Sequence, residues 1–267
     1  MKIVRFLDST GQEQTGALQP DGQADLLDGS PFDGARQTGH KVEITKLLTP
    51  IVPSAIVGIG LNYGKLAAHL GKSKTEYPIT FSKLLNAVQN PGDPIEHPKT
   101  LVSTQLDYEG ELVVVIGKRC KDVSAAEAFD AVFGYTLVND VTAKDWQTDK
   151  VGGQWFKAKN FDTFCPFGPC IATKDEIADP SLLQLTTKLN GEIVQDESVS
   201  DLLFSIPEII EYLSASMTLE PGTIILTGSP LGVGSSYDPP KYLKPGDEVR
   251  VSIPEIGELV NPVIAQP

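Results

Sequence analysis

The chain has no apolar run that approaches the ~18 residues a membrane-spanning helix needs. Its N-terminus, Met1 to Phe6, lacks an apolar core long enough for a signal peptide. The three cysteines, Cys120, Cys165 and Cys170, show no metal-ligand spacing, and we expect reduced thiols of an intracellular protein. These absences predict a cytoplasmic location and no membrane partner.

Positive charge is scarce. The 267 residues include 22 Lys and Arg against 35 Asp and Glu, a formal net charge of −13. Such acidity argues against binding nucleic acid or an anionic membrane surface. An anionic substrate would therefore need a local basic site, and we expect that site to be built around a metal ion. The length suits one large domain, or a large domain plus a small one.

One stretch combines a strand with two carboxylates. Leu112 to Ile116 is an unbroken, mostly β-branched apolar run, which is typical of a strand buried on both faces. Glu109 and Glu111 lie two residues apart at its entrance, so their side chains point to the same side. Buried together they would repel each other. Either a hard divalent cation binds them, or both side chains lie in water at a polar strand start.

Asp140 is the best third ligand, because it follows the apolar strand predicted from Val132 to Val138 as Glu109 precedes another. Three carboxylates with open positions suit Mg²⁺, Mn²⁺ or Ca²⁺. One divalent ion would leave them with about −1 of formal charge. A chelating anionic substrate would then need cationic help, for which Lys159 and Lys144 are the candidates.

The remaining pattern contains many short strands and tight turns and few helices. Residues 1–53 predict a small β-rich N-terminal domain without a cluster of chemical groups, and Ile44 to Leu48 within it indicates a helical turn. Residues 54–267 predict the main domain, in which Asn190 and Gly191 form a hairpin turn. The chain as a whole predicts a mainly β, α+β fold with a rolled or barrel-like sheet.

Six segments, in order, resemble the fumarylacetoacetate hydrolase family over residues 54 to about 262. The matching segments are Gly60-Leu61-Asn62-Tyr63, Asp107-Tyr108-Glu109-Gly110-Glu111-Leu112, Gly134-Tyr135-Thr136 through Asn139-Asp140-Val141, Lys159-Asn160-Phe161-Asp162-Thr163-Phe164-Cys165-Pro166, Asn190-Gly191 with Gln195-Asp196, and Leu219-Glu220-Pro221-Gly222 through Thr227-Gly228-Ser229-Pro230. Each segment alone is weak, but their common order around the three carboxylates is specific.

The resemblance implies a mixed β-roll with a small N-terminal domain, usually assembled as a homodimer. Family members bind Mg²⁺ or a similar ion through two Glu and one Asp, here Glu109, Glu111 and Asp140. Their substrates are small anionic 2-oxo or diketo acids that chelate the metal. Lys159 matches the family lysine that contacts the substrate. Further matches predict substrate binding by a set of four residues: Tyr63, Lys144, Gln195 and Ser229. For Gln195 a hairpin hydrogen bond is the equal alternative.

The chain also departs from the family pattern. Hydrolytic members usually carry a His followed three residues later by a Glu, and this pair activates the attacking water. Those positions hold Leu66 and His69. Leu66 cannot act as a base. His69 lies on the same helical face and would replace the pair if the helix closes over the metal; otherwise it is a surface histidine. The frequent family Arg is Lys144, which loses bidentate carboxylate recognition.

The first functional prediction is a metal-dependent enzyme that cleaves a C–C bond of a small 2-oxo or diketo acid through a metal-stabilised enolate. It would act as an acylpyruvate or fumarylpyruvate-type hydrolase, or as an oxaloacetate-type decarboxylase. The alternative is an isomerase or tautomerase on the same scaffold, because such a reaction needs no attacking water. A third possibility is a non-catalytic binding protein, which the loss of the His–Glu pair favours and the intact carboxylates oppose.

Overall fold

The structure is a computed structural model that describes residues 1–148, 150 and 152–267. Its strands, in chain order, are β1 (Lys2–Leu7), β2 (Glu13–Leu18), β3 (Ala24–Asp28), β4 (Arg36–Val42), β5 (Lys46–Leu48), β6 (Ala55–Gly60), β7 (Ile79–Lys83), β8 (Val88–Gln89), β9 (Ile95–His97), β10 (Leu106–Asp107), β11 (Gly110–Ile116), β12 (Val132–Asn139), β13 (Thr142–Ala143), β14 (Cys165–Thr173), β15 (Gln184–Leu189), β16 (Glu192–Ser198), β17 (Thr223–Leu226), β18 (Glu248–Ile253) and β19 (Gly257–Ala265). The α-helices are α1 (Gly64–His69), α2 (Ala128–Ala131), α3 (Lys144–Gln147), α4 (Trp155–Lys159) and α5 (Ile206–Ser216). Short 3₁₀ helices span Pro31–Asp33, Leu85–Ala87, Pro180–Leu182, Val199–Asp201 and Gly234–Ser236.

The strands form mixed sheets. The largest has the order β4-β3-β2-β1-β14-β12-β11-β17-β6-β7, with β5 added beside β1 and β8 beside β14. A second sheet has the order β16-β15-β18-β19-β9, and β10 pairs with β13. Most pairs are antiparallel, whereas β17–β6, β14–β8 and β19–β9 are parallel. The predicted mainly β, α+β class is therefore confirmed, but the barrel-like alternative is wrong because these sheets, as described, stay open.

The central strand β11 explains where the carboxylates meet. All seven of its residues are buried, and it lies between β12 and β17. The antiparallel register places Gly110 opposite Asn139, so Glu109 before β11 lies opposite Asp140 after β12. The backbone N–H of Asp140 donates to the carbonyl of Glu109 at 2.8 Å. Facing residues of an antiparallel pair share one side of the sheet, and Glu111 points to that side as well.

The N-terminal strands extend the large sheet. β1 pairs antiparallel with β14, with Ile3 opposite Ile171, so residues from both predicted domains share one sheet. The division at residue 53 itself stays a prediction. The helical turn predicted at residues 44–48 is wrong: Lys46–Leu48 forms β5, where Leu48 lies opposite Arg5 of β1. A nearby strand edge offered backbone hydrogen bonds that an isolated turn lacks.

The predicted hairpins and longest helix follow local sequence rules. Asn190 and Gly191 connect β15 to β16 with positive φ values of 52° and 85°, as a tight hairpin turn requires. Helix α5 begins with a capping box between Ser205 and Glu208, and its buried residues pack into the core. Within the described ranges, no helix is both long and apolar enough to cross a bilayer.

Candidate metal centre

Three buried carboxylates converge at the strand ends described above. Glu109, Glu111 and Asp140 each offer an oxygen atom, and these three atoms lie within 4.8 Å of one another. The exposed fractions of the three residues are 5%, 1% and 0%. The neighbouring ends of β11 and β12 therefore bring together the three ligands that the sequence predicted.

Three lysines surround the carboxylates. Lys159 Nζ donates to Glu109 Oε2 at 2.8 Å and also to Asp140 Oδ2. Lys144 Nζ donates to Glu109 Oε1 at 2.6 Å. Lys83 Nζ donates to Asp140 Oδ1 at 2.6 Å and to the carbonyl of Val141 at 3.2 Å. The side chain of Lys144 is 19% exposed, whereas those of Lys159 and Lys83 are 3% and 0% exposed.

The charges act differently on the two glutamates. Burial would raise the pKa of Glu109, but Lys144 and Lys159 outweigh it and hold that pKa well below its usual range. Burial, together with the charges of Asp140 and Glu109, raises the pKa of Glu111 well above its usual range. Of the two glutamates, Glu111 is thus the one whose negative charge its surroundings oppose.

A Gly-rich loop after β17 satisfies Glu111 by hydrogen bonds. The backbone N–H of Gly228 donates to Glu111 Oε2 at 2.8 Å. Ser229 Oγ lies 2.8 Å from Glu111 Oε1 and 3.1 Å from Glu109 Oε2, so its single proton serves one of them at a time. Ser229, predicted as a substrate-binding residue, therefore lies at the edge of the carboxylate cluster.

The donor set fits a hard divalent cation. It consists of carboxylate oxygens from Glu109, Glu111 and Asp140, without thiolate or imidazole, and such oxygen sets suit Mg²⁺, Mn²⁺ and Ca²⁺. The oxygens already converge on positive charge, because the Lys159 ammonium bridges Glu109 and Asp140. A cation at the cluster would also offset the burial and the repulsion that together raise the pKa of Glu111.

The cluster opens into a cavity of about 560 Å³. Five residues of the charged cluster and its loop line it: Glu109, Glu111, Lys144, Lys159 and Ser229. Much of the remaining wall is apolar and comes from Ile59, Leu61, Leu66, Leu70, Ile79, Phe81, Trp155 and Val233. A polar, charged end inside a largely apolar cavity is the usual form of a small-molecule site.

The family follows from comparison with known proteins. The model of the fumarylacetoacetate (FAA) hydrolase C-terminal domain matches residues 55–264, which contain all three carboxylates and the cavity. The chain belongs to the fumarylacetoacetate hydrolase family. A second model, described as Rv2993c-like, N-terminal, matches residues 1–50.

Relatives within and beyond bacteria share most of the chain. Oxaloacetate tautomerase YisK of Bacillus subtilis (strain 168) is 47% identical over 237 residues, covering 87% of this chain and 78% of the relative. The mitochondrial oxaloacetate tautomerase fahd2 of Xenopus laevis is 42% identical over 219 residues, covering 82% and 68%. The crystal structure of 5-carboxymethyl-2-hydroxymuconate delta-isomerase from Mycobacterium smegmatis has a TM-score of 0.86 and 38% identity, covering all of both chains.

Three predicted residues do not reach the cavity. His69 ends α1 and is exposed, and it is not among the lining residues, whereas Leu66 on the same helix is. Tyr63 is fully buried in a small cluster with Leu66 and Val233, and its hydroxyl has no hydrogen-bond partner among the described residues. In Gln195, the side-chain oxygen accepts the N–H of Gly110 at 3.0 Å and the nitrogen donates to the carbonyl of Pro230 at 3.0 Å. These hydrogen bonds reach the start of β11 and the loop after β17 rather than the β15–β16 hairpin, and substrate binding by Gln195 stays a prediction.

Two charged residues at the site were not assigned by the sequence. Lys83 has a fully buried side chain and pairs with Asp140. Asp107 is also fully buried, and its Oδ2 lies 3.8 Å from Lys144 Nζ. The alternation of Asp107, Glu109 and Glu111 was a signal for Asp107, because every second residue of an extended chain shares a side. For Lys83 the only signal in the sequence was its position at a strand end.

We expect Lys83→Met to destabilise the metal-free protein by about 3–5 kcal/mol, because it leaves the buried Asp140 carboxylate without this cation. The free energy of unfolding, measured with denaturant in the presence of a chelator, tests this. Lys41→Met is the control, since Lys41 and its partner Asp21 are about half exposed (46% and 48%), and such surface pairs contribute about 0–1 kcal/mol. Equal effects of the two substitutions would contradict a structural role for Lys83.

Proposed function

We propose that this protein catalyses keto–enol tautomerisation of a small 2-oxo acid of the oxaloacetate type, with Mg²⁺ or Mn²⁺ at Glu109, Glu111 and Asp140. The observation that carries the proposal is the composition of the cavity wall at α1. Leu66 lines the cavity where hydrolytic members of the family present a His, and His69 is exposed to solvent. Two relatives are named oxaloacetate tautomerases and a structural neighbour is named an isomerase, which supports the same reaction class.

Tautomerisation fits a site without a water-activating base. The reaction removes a proton at one atom of the substrate and returns a proton at the other, so that protons balance and no water molecule is added. Hydrolysis of a diketo acid instead needs a group that removes a proton from the attacking water. Leu66 cannot do so, and Phe81 and Trp155 add further apolar side chains to the cavity wall. The C–C hydrolase predicted first is therefore less well supported than the isomerase alternative.

Each charged residue has a separate role in this proposal. A bound divalent cation would supply Lewis acidity to the oxo and carboxylate oxygens of the substrate. Lys159 holds a proton at Nζ, lines the cavity and donates hydrogen bonds, so it would donate to the substrate oxygen on which negative charge develops. Lys144, the more exposed cation, would pair with a substrate carboxylate. Ser229 Oγ would orient Glu109 and Glu111.

The experiment separates three outcomes in one sample. Enol-enriched oxaloacetate is mixed with the protein and Mg²⁺ or Mn²⁺, and enol absorbance, pyruvate and CO₂ are followed together. We expect faster approach to the same keto–enol equilibrium, with pyruvate and CO₂ at the rate of the protein-free control. Pyruvate and CO₂ formed in step with oxaloacetate loss would instead show a decarboxylase, and no acceleration with either metal would contradict the proposal.

We expect His69→Ala to keep the tautomerase rate within about twofold, because substitutions of exposed residues away from a site usually have small effects. The matched comparison is Lys159→Met, which removes the proposed hydrogen-bond donor and should lower the rate by about 100-fold or more. The initial rate of enol loss measures both. A His69→Ala rate as low as that of Lys159→Met would show that α1 moves His69 into the site.

Assembly and location also remain proposals. The family resemblance supports a homodimer, and the net charge of −13 opposes nucleic acid as a partner. A cytoplasmic location is proposed on the sequence alone.

A further inference from the structure

A fixed carboxylate lies behind the cavity lysine Lys144. Asp107 ends β10 and has no exposed surface. Its Oδ1 accepts the backbone N–H of Gly234 at 2.6 Å, and its Oδ2 accepts that of Ser235 at 3.0 Å. Because each oxygen has its own backbone donor, the carboxylate cannot rotate without losing a hydrogen bond. Asp107 therefore holds its carboxyl group at a defined point beside Lys144.

The absence of a side chain at Gly234 permits this arrangement. A Cβ atom built on Gly234 would lie 2.6 Å from Asp107 Oδ1 and 2.3 Å from the carbonyl oxygen of Lys241. The loop can therefore approach the carboxylate closely only with glycine at this position. The next residue, Ser235, lines the cavity, so Asp107 also fixes part of the cavity wall.

Lys144 lies between two carboxylates, of which only one belongs to the candidate metal triad. Its Nζ donates to Glu109 Oε1 at 2.6 Å and lies 3.8 Å from Asp107 Oδ2. Glu109 is one of the three candidate metal ligands, so its oxygens would be shared with a cation. Asp107 is held by backbone donors and is not part of that triad. Its attraction for Lys144 therefore does not depend on what Glu109 binds.

We propose that Asp107 is a positioning residue that keeps the Lys144 ammonium beside the triad when Glu109 binds a metal ion. Lys144 is then available to the carboxylate of a bound 2-oxo acid. Without Asp107, a lysine released by Glu109 is free to extend into solvent, since its side chain is already 19% exposed. This role acts through Lys144 and rests on the proposed function, in which Lys144 binds the substrate carboxylate.

A double-substitution cycle tests the proposal. We compare wild type, Asp107→Asn, Lys144→Met and the double variant by KM and kcat for oxaloacetate enolisation, and by calorimetric binding of oxalate with Mg²⁺. We expect Asp107→Asn to raise KM and the oxalate dissociation constant about tenfold with kcat within about threefold, because it weakens binding in the ground and transition states alike. In the Lys144→Met background, Asp107→Asn should raise KM and the oxalate dissociation constant by less than about twofold.

The control is Asp8→Asn, measured with the same assays and by thermal unfolding. Asp8 is 8% exposed and its carboxylate accepts the N–H groups of Thr10 and Gln12, but it does not line the cavity. We expect it to change the unfolding temperature and leave KM and oxalate affinity unchanged. If Asp107→Asn weakens oxalate binding as much in the Lys144→Met background as in wild type, Asp107 does not act through Lys144. That result would show a structural role and overturn the proposal.

Asp107→Glu covers the case in which Asp107→Asn does not fold. It keeps the charge but moves the carboxylate by one methylene group, so the same rise in KM is expected. If neither variant folds, Asp107 is a structural residue and the positioning role is overturned. Failure of the proposed function is distinguishable, because wild type itself would then neither bind oxalate with Mg²⁺ nor enolise oxaloacetate.

Discussion

Glu111→Gln should abolish divalent-cation binding and tautomerase activity while leaving the metal-free protein folded and at least as stable as wild type. The amide keeps an acceptor oxygen for the Gly228 N–H and can exchange a hydrogen bond with Ser229 Oγ. It also removes the charge repulsion that Asp140 and Glu109 exert in wild type. The site thereby loses one of three anionic ligands without losing the hydrogen bonds of the fold.

The expected loss of Mg²⁺ or Mn²⁺ affinity is about 100-fold or more, since even residues behind the ligands change affinity by about 10–100-fold when replaced. Titration calorimetry gives the affinity, and denaturant unfolding with a chelator gives the stability. Glu197→Gln is the control, because Glu197 is 9% exposed and pairs with Lys65, outside the triad. Unchanged metal affinity in Glu111→Gln, with Glu197→Gln also unchanged, would remove the triad as the metal site.

The triad could be predicted from the sequence because its geometry is local to two strand ends. Glu109 and Glu111 share a side by the two-residue period of an extended chain, and the apolar run after them indicates burial. Asp140 follows the next long apolar strand, and consecutive strands usually pair. The register of β11 and β12 then places Asp140 opposite Glu109. No long-range information was needed beyond the pairing of two neighbouring strands.

The side-chain positions of Tyr63, Gln195 and His69 could not be predicted in this way. A motif position fixes the backbone of Tyr63 or Gln195, but their side chains point to a buried apolar cluster and to backbone groups of Gly110 and Pro230. His69 needed the orientation of α1, which exposes it. For Tyr63 and Gln195 the decisive contacts come from segments far away in sequence, so local periodicity carries no signal for them.

The fold is subject to the same limit: local patterns predict local elements but not the pairing of distant segments. The hairpin at Asn190 and Gly191 follows from a local turn pattern, and the structure has it where the sequence predicts it. Lys46–Leu48 became a strand because β1 offers an edge, and the union of the N-terminal strands with β14 depends on pairing across about 170 residues of chain (Ile3 with Ile171). Neither fact is encoded in the segments themselves.

The combined substitution Leu66→His with His69→Glu should give the protein acylpyruvate hydrolysis, which the proposed tautomerase lacks. Residue 66 lines the cavity, so an imidazole there would face a bound substrate. Residue 69 lies three positions further along α1, close enough on the helix surface for a carboxylate to orient that imidazole. The pair restores the water-activating arrangement that the family resemblance implies for hydrolytic members, while the metal ligands remain unchanged.

General-base catalysis contributes about 10²–10⁴-fold in established enzymes, and an unrefined pair should give at least about tenfold over wild type. Pyruvate release from acetylpyruvate with Mg²⁺ measures the gain, and circular dichroism checks that α1 tolerates a polar side chain beside Tyr63 and Val233. Leu66→Gln with His69→Glu is the matched control, because it opens the same apolar wall and keeps the same carboxylate without supplying an imidazole. If both double variants release pyruvate equally slowly while retaining tautomerase activity, Leu66 is not what prevents hydrolysis, and the assignment of reaction type to the α1 wall fails.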